Sequence, residues 1–598
     1  MDNLNQNNLN QNQIQNQNQN PQPQPLPNQP QPIILNNPQP QPMQSAPIQM
    51  AQQPANPFTE FAPQPQTIPQ STAVKKEGRK FSILESAFAW ICLILGYLFC
   101  RAFPPFENAL GSFIVTLVIF GVTATILAFR GAKFNLSSII SAVSGVAISA
   151  GLIINSNNTL QNLIGCYCIL AYVYFVYSAT GNKIEKGFSN FVIADFFKAI
   201  FVMPFASFGY LFRATSRRKD GTRNKGFVPK ILLGIAIGFI PLVIVLTLLS
   251  YDENFVRIMR NIFDFNLDTI FSHIVSIGFG IPIGMYIYGL FISSVDNKFK
   301  EGSLDAESLG KASKSVKIAP LLTVIFAIVP ILLVYLVFFI SQWKYYISGF
   351  LGKLPQNMIY SEYARKGFFE LCGVAVINVI LLILVAVFAK RKDDYKERPA
   401  IRLLSGLISL SSLILITTAL AKMWMYIEAY GLTPKRVYST WFMVSLFAIF
   451  LVALIKQIFV KMKLLPLAVV LSILFFGSFA VVGADSFIAE YNVNRYLNGT
   501  LKEIDVEAMQ DLGDAAIPSL VKVIEQSDKT KGTNFAEYKK DFDNDINSNE
   551  YSDATTENVA NYLCQYSSWQ KDAYNNGFFS YTIPKIKAQT ALNRIIAD

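Results

Sequence analysis

ALGSFIVTLVIFGVTATILAF, residues 109–129, holds no charged side chain in 21 positions. A helix of that length rises ~30 Å at 1.5 Å per residue, the thickness of a bilayer's hydrocarbon core. Its apolar residues do not form a stripe for one face of a soluble core. They go all the way round, as a membrane-spanning helix requires. The same reading recurs along the chain at roughly 82–102, 109–129, 136–155, 159–178, 231–250, 269–293, 319–340, 369–389, 403–421, 437–459 and 464–484. Charged residues make up 15% of the 598, against about a quarter in soluble domains. The sequence therefore predicts an all-α, polytopic transmembrane helix bundle of about eleven spans.

The charge of +11 could suggest nucleic acid, but the basic residues sit in short loops between apolar blocks, which excludes that class. With the N-terminus in the cytoplasm, inner segments carry 30 Lys and Arg and outer loops 9. The positive-inside rule then predicts an N-in, C-out arrangement.

Residues 1–74 are nearly all Asn, Gln and Pro. Too poor in apolar surface to offset their chain entropy, they are expected to form a disordered cytoplasmic tail. The four spans of 75–180 follow. Within 181–230, the apolar, aromatic stretch 188–212 contains Asp195, Lys198 and Pro204; it reads as an interfacial amphipathic helix with its charges among the headgroups. The basic run 213–230 would face anionic lipids. Seven spans occupy 231–485. The last part, 486–598, has seventeen Asp and Glu against eleven Lys and Arg and reads as a small, soluble, acidic helical domain outside the membrane. Protein partners would reach the chain through this domain or the N-terminal tail.

Candidate residues fall in three places. His273 is the only histidine, near a helix end. Glycines and prolines interrupt spans five to seven, with Gly280, Pro282 and Gly284 in GFGIPIG and Pro330 in the next span. Such residues serve close helix packing or, in broken helices, a substrate path. Two outer segments carry charge and aromatic residues: Tyr360–Glu370 (YSEYARKGFFE) and Lys422–Arg436 (KMWMYIEAYGLTPKR). They are either interfacial anchors or a shared pocket where Glu362, Arg365, Glu428 and Arg436 meet. Few charges lie deep in the spans; Asn378 is the clearest polar group there. The sequence shows no phosphate-binding GxxxxGK[ST], no HExxH and no GxSxG, and implies no catalytic set, metal or cofactor.

SEYARKGFFEL, KMWMYIEAYGLTPKRVYSTWFM and the later AEYNVNR (489–495) together resemble a family of bacterial membrane proteins known as domain of unknown function 4173, related to family 4153. The resemblance covers roughly 185–525. It implies a multi-pass protein of the bacterial cell membrane and carries no activity. It directs attention to Tyr363, Arg365, Gly367, Phe368, Tyr430, Gly431, Leu432, Thr433 and Arg436. Three functional readings follow: a non-enzymatic envelope sensor or scaffold, a secondary transporter or lipid-handling permease using spans five to seven, and a membrane enzyme using Glu362 or Glu428.

Overall fold

The computed structural model describes residues 79–102, 108–216, 267–296, 315–350, 360–390, 399–543, 554–573 and 580–597, with short interruptions and a few isolated positions besides. The 1–74 tail, nearly all of the 213–230 run and most of the expected span 231–250 lie outside them.

Among the described residues the chain is helical, with ten helices long and apolar enough to cross a membrane. Five lie in its first part: α1 Ile83–Ala102, α2 Ala109–Phe129, α3 Leu136–Ser149, continued by the single turn α4 Gly151–Ile154, α5 Asn158–Ala179 and, after three short pieces, α9 Leu267–Val295. The short pieces are α6 Val192–Phe197, α7 Met203–Ala206 and α8 Tyr210–Thr215, with a π-helical turn, Lys198–Val202, between α6 and α7. The second part holds α10 Leu321–Phe350, α11 Tyr360–Phe388, α12 Pro399–Tyr430, α13 Pro434–Ile458 and α14 Leu464–Val482. Many apolar side chains on these helices face outward; Phe326, Val337 and Ile340 of α10 are 66–75% exposed. In water such a surface would drive association, whereas hydrocarbon solvates it.

Helix capping marks where the chain turns. Asn135 and Asn157 accept from the amides of Ser138 and Leu160 at the starts of α3 and α5, and Thr433 accepts from Arg436 at the start of α13. Each cap satisfies an amide that the helix leaves open.

The helices form two groups. α1, α2, α5 and α9 share one apolar core with residues 192–214, built on Phe88, Phe175, Tyr288 and Phe291. Here α1 and α9 approach until backbone meets backbone. A Cβ at Gly96 would overlap the Gly280 carbonyl oxygen and stand 2.8 Å from the Gly284 nitrogen, and one at Gly284 would stand 2.7 Å from the Cys92 oxygen. Gly280 and Gly284 thus serve helix contact. α9 runs unbroken through Pro282, as α10 does through Pro330. His273 joins the same seam: its Nδ1 lies 2.8 Å from the Tyr97 hydroxyl.

The second group is α10–α13. A buried polar thread crosses it, in which the Tyr335 hydroxyl donates to Asn378 (2.7 Å) and the Asn378 amide to Ser412 (2.8 Å). Helices without water between them use such groups as glue.

One expectation is corrected. Asp195 and Lys198 do not reach into headgroups; they are 0% and 3% exposed. Asp195 accepts from the Tyr177 hydroxyl (2.7 Å) and the Ile184 amide (2.9 Å), and burial raises its pKa. The helical run continues through the π turn into α7, where the Pro204 carbonyl packs on Gly289 of α9. It comes back to the end of the bundle it started from: Asn182 donates to the Ser294 carbonyl (2.7 Å), Ser293 to Ser207 (2.7 Å), and Tyr210 packs edge-on against Phe81 (5.9 Å). α5 finishes at this end, whereas α9 starts at the opposite one.

Candidate functional site

Two of the three motif-bearing segments meet at one end of the second helix group. α12 has 32 residues, a length of ~48 Å, well beyond the ~30 Å core. It has turns to spare, and its last turn delivers Tyr430-Gly-Leu-Thr433 to the C-terminal domain. That domain comprises α15 Ala484–Leu497, α16 Val506–Gln510, α17 Ile517–Lys531, α18 Phe535–Asp543, α19 Ala554–Ala573 and α20 Ile583–Ala597.

Gly431 takes a left-handed φ of 74°, which costs a glycine little and other residues more. The turn presents both backbone groups of Leu432 to Asn492 on α15. The Leu432 amide donates to Asn492 Oδ1 and the Asn492 amide donates to the Leu432 carbonyl, both at 2.7 Å. A Cβ at Gly431 would stand 2.5 Å from Asn492 Oδ1, so the close approach needs glycine as much as the φ does. One turn on, Arg495 donates to the Ile427 and Glu428 carbonyls (3.2 and 2.9 Å) and pairs with the Glu428 carboxylate at 3.2 Å. Arg436 folds back onto the Tyr430 and Gly431 carbonyls (3.0 and 2.6 Å), its guanidinium 4.0 Å from the Tyr426 ring centre. The YGLTPKR and AEYNVNR segments thus form one clasp.

Of the four charges expected to share a pocket, Glu428 and Arg436 are engaged in this clasp, each with its own partners. Tyr363, Glu362 and Arg365 lie on α11, but their side chains fall outside the described residues, so the expected meeting does too.

Apolar packing continues across the clasp. A single cluster runs from Ile408, Ile416, Met443 and Phe450 in the spans through Ile488 and Val493 of α15 to Ile517, Leu520, Val559, Leu563 and Leu592. The C-terminal domain is no separate bead on the chain; its core is continuous with that of the bundle.

Beside the clasp, Gly483 ends α14 in a left-handed turn (φ 72°) and α15 starts with Asp485, 1% exposed. Asp485 Oδ1 accepts from the Tyr438 hydroxyl (3.2 Å), and the carboxylate accepts from the Asn157 backbone amide. Its Oδ2 is buried with no partner. Three elements converge here: α13, the α4–α5 turn and the domain. Burial pushes the Asp485 carboxyl up to about 6. A carboxyl raised in the fold favours folding when protonated, so its contribution is present below about pH 4 and lost as pH rises through about 6. Asp485→Asn is expected to raise the thermal midpoint above pH 6 and flatten its slope between pH 4 and 6; scanning calorimetry across pH checks both.

At the other end of the bundle, Glu85 is 3% exposed and pairs with Arg79 (2.8 Å) and Arg130, while Arg79 reaches Asp296 at 2.5 Å. This network ties the ends of α1, α2 and α9 and marks the basic end. Sequence reading missed it, and also the burial of Asp195 and Asp485. Arg130, which pairs with Glu85, and Tyr438, which donates to Asp485, are each more than 40 residues away in sequence; the nearer signal was a lone carboxylate at the edge of each apolar stretch.

A family model for a domain of unknown function, DUF4153, matches residues 142–523. The chain belongs to the DUF4153 family. The matched region starts in α3 and ends in α17, so the whole clasp lies within DUF4153, whereas Glu85 and Arg130 lie before it. No curated protein and no solved structure matches the chain.

Proposed function

We propose that this DUF4153 protein is a non-enzymatic sensor or scaffold of the bacterial cell envelope, with the N-terminus cytoplasmic and the C-terminal domain outside. Its YARKGF and YGLTPKR segments favour the 4173 branch. The observation that carries the reading is the continuous core from α10–α13 into the domain, locked by the Leu432–Asn492 pair. Such a joint transmits a load or displacement on the outer domain to the spans, because packed interiors do not deform freely. The domain also offers a polar concavity of about 460 Å3 lined by Glu507, Gln510, Asn558, Asn561 and Gln565, suited to a hydrogen-bonding envelope ligand. Against the permease reading, Gly280 and Gly284 serve helix contacts, and the helices run unbroken through Pro282 and Pro330.

The test is complementation of a deletion strain, scored by an envelope-stress reporter. Wild type restores the response. Arg495→Ala, which removes the bonds to Ile427 and Glu428 while leaving Asn492 in place, is expected not to restore it at wild-type membrane abundance. Full restoration by Arg495→Ala at that abundance overturns the reading.

A further inference from the structure

α14 is held tightly along only half of its length. Towards the clasp end, Asn155 donates to the Ala480 carbonyl (2.7 Å), Gly151 packs on the same carbonyl, and Trp441 of α13 donates to the Phe475 carbonyl (3.0 Å). Towards the basic end it stands off from α3 and α5. A cavity of about 320 Å3 opens there, between Ile140 and Ser141 of α3, Leu170 and Tyr174 of α5, and Val470 and Ile473 of α14.

The shape of this crevice is specific. On α14 it runs from Pro466 to Phe476, ten residues or ~15 Å, half of the ~30 Å hydrocarbon core. Tyr167 and Phe476, with ring centres 5.5 Å apart, close its deep end, and the Tyr167 hydroxyl donates to Ser144. Its walls are almost wholly apolar. Its mouth at the basic end is polar, lined by Lys183 and Ser137. The Lys183 ammonium donates to Ser137 Oγ (2.8 Å) and the Gly187 carbonyl. Lys463 sits at the same mouth, 3.3 Å from Glu185. Desolvation lowers the Lys183 pKa, with the neighbouring Lys463 acting in the same direction, while Asp195 and Glu185 oppose it.

We propose that this crevice binds one anionic phospholipid from the leaflet at the basic end, with an acyl chain between α3, α5 and α14 and its phosphate at Lys183. Two observations choose this occupant: an apolar slot one leaflet deep, and an ammonium at the mouth, where a headgroup would lie. A phosphate there accepts a charge-assisted hydrogen bond from Lys183, and the acyl chain fills space that would otherwise leave apolar walls without contacts. The proposal does not depend on the sensor reading.

The test is native mass spectrometry of the full chain with phosphatidylglycerol or phosphatidylcholine added to its detergent micelles. Wild type is expected to retain one phosphatidylglycerol, favoured over phosphatidylcholine by about fivefold, the effect of one charge near the membrane surface. Lys183→Gln removes the preference and Lys183→Arg keeps it. Val470→Trp, which fills the slot, lowers retention of both lipids. The proposal is overturned if Lys183→Gln retains phosphatidylglycerol as wild type does, if Val470→Trp binds normally, or if glycerol 3-phosphate alone displaces the lipid. Size-exclusion profiles matching wild type establish that each variant compared is folded.

Discussion

Gly96→Leu is expected to remove almost all folded protein from the membrane. The new Cβ would overlap the Gly280 carbonyl oxygen and lie 2.8 Å from the Gly284 nitrogen. Both are backbone atoms of α9, so no rotamer change relieves the overlap. α1 must retreat as a body, and three other links go with it: Tyr97 to His273, Arg101 to Ser272, and Arg79 to Asp296. Overpacking a core against movable side chains already costs about 1–3 kcal/mol. Loss of the part-exposed Arg79–Asp296 pair and of the two hydrogen bonds adds to that, against a stability of ~5–15 kcal/mol for a whole domain. Gly121→Leu is the control, since a Cβ there meets nothing within 4 Å. Fluorescence size-exclusion of tagged variants reads the outcome: a monodisperse peak for Gly121→Leu, aggregate or absence for Gly96→Leu.

The second large effect is at the clasp. Asn492→Ala leaves the amide and carbonyl of Leu432 unpaired in a site where Leu432 is 8% and Asn492 4% exposed. Each buried group left without a partner costs about 1–3 kcal/mol, so a loss of about 2–6 kcal/mol is expected. The loss should be local. Amide exchange should accelerate in residues 427–434 and 484–497 together, while the α1–α9 seam stays protected. Asn492→Asp should fare nearly as badly, because it keeps the acceptor for the Leu432 amide but sets an oxygen against the Leu432 carbonyl. The truncation that sequence alone suggests as a test of the C-terminal domain, removal of 486–598, would strip Ile488, Val493, Ile517 and Leu520 from a core they share with the spans. Point changes in the clasp avoid that exposure.

The spans were legible because a ~30 Å apolar run has one physical use. The expected 109–129 is α2, Ala109–Phe129, and the expected 464–484 ends two residues past α14. Periodicity also placed the glycines of 278–284 at helix-contact spacing, but it could not name Gly96 as their partner, 184 residues away from Gly280. Both clasp segments stood out as motifs. That they touch could not be read, since Leu432 and Asn492 are 60 residues apart and joined by backbone groups that leave no mark in sequence. Charge was read least well. Glu85 and Asp485 sit at the edges of apolar stretches and Asp195 inside the 188–212 stretch, and a solvated or headgroup position is the usual expectation for such charges. Their burial rests on partners such as Arg130, Tyr177 and Tyr438, which only folding brings near.

The central claim is that the C-terminal domain and helices α10–α13 form one body. Its most direct test is the distance between spin labels at the exposed positions Trp424 on α12 and Trp569 on α19, each changed to Cys after the accessible native cysteines are replaced. The full chain in lipid nanodiscs should give a single narrow distance distribution, which Asn492→Ala broadens. A broad distribution in the otherwise wild-type chain, unchanged by Asn492→Ala, would show the domain tethered rather than joined and would contradict the account.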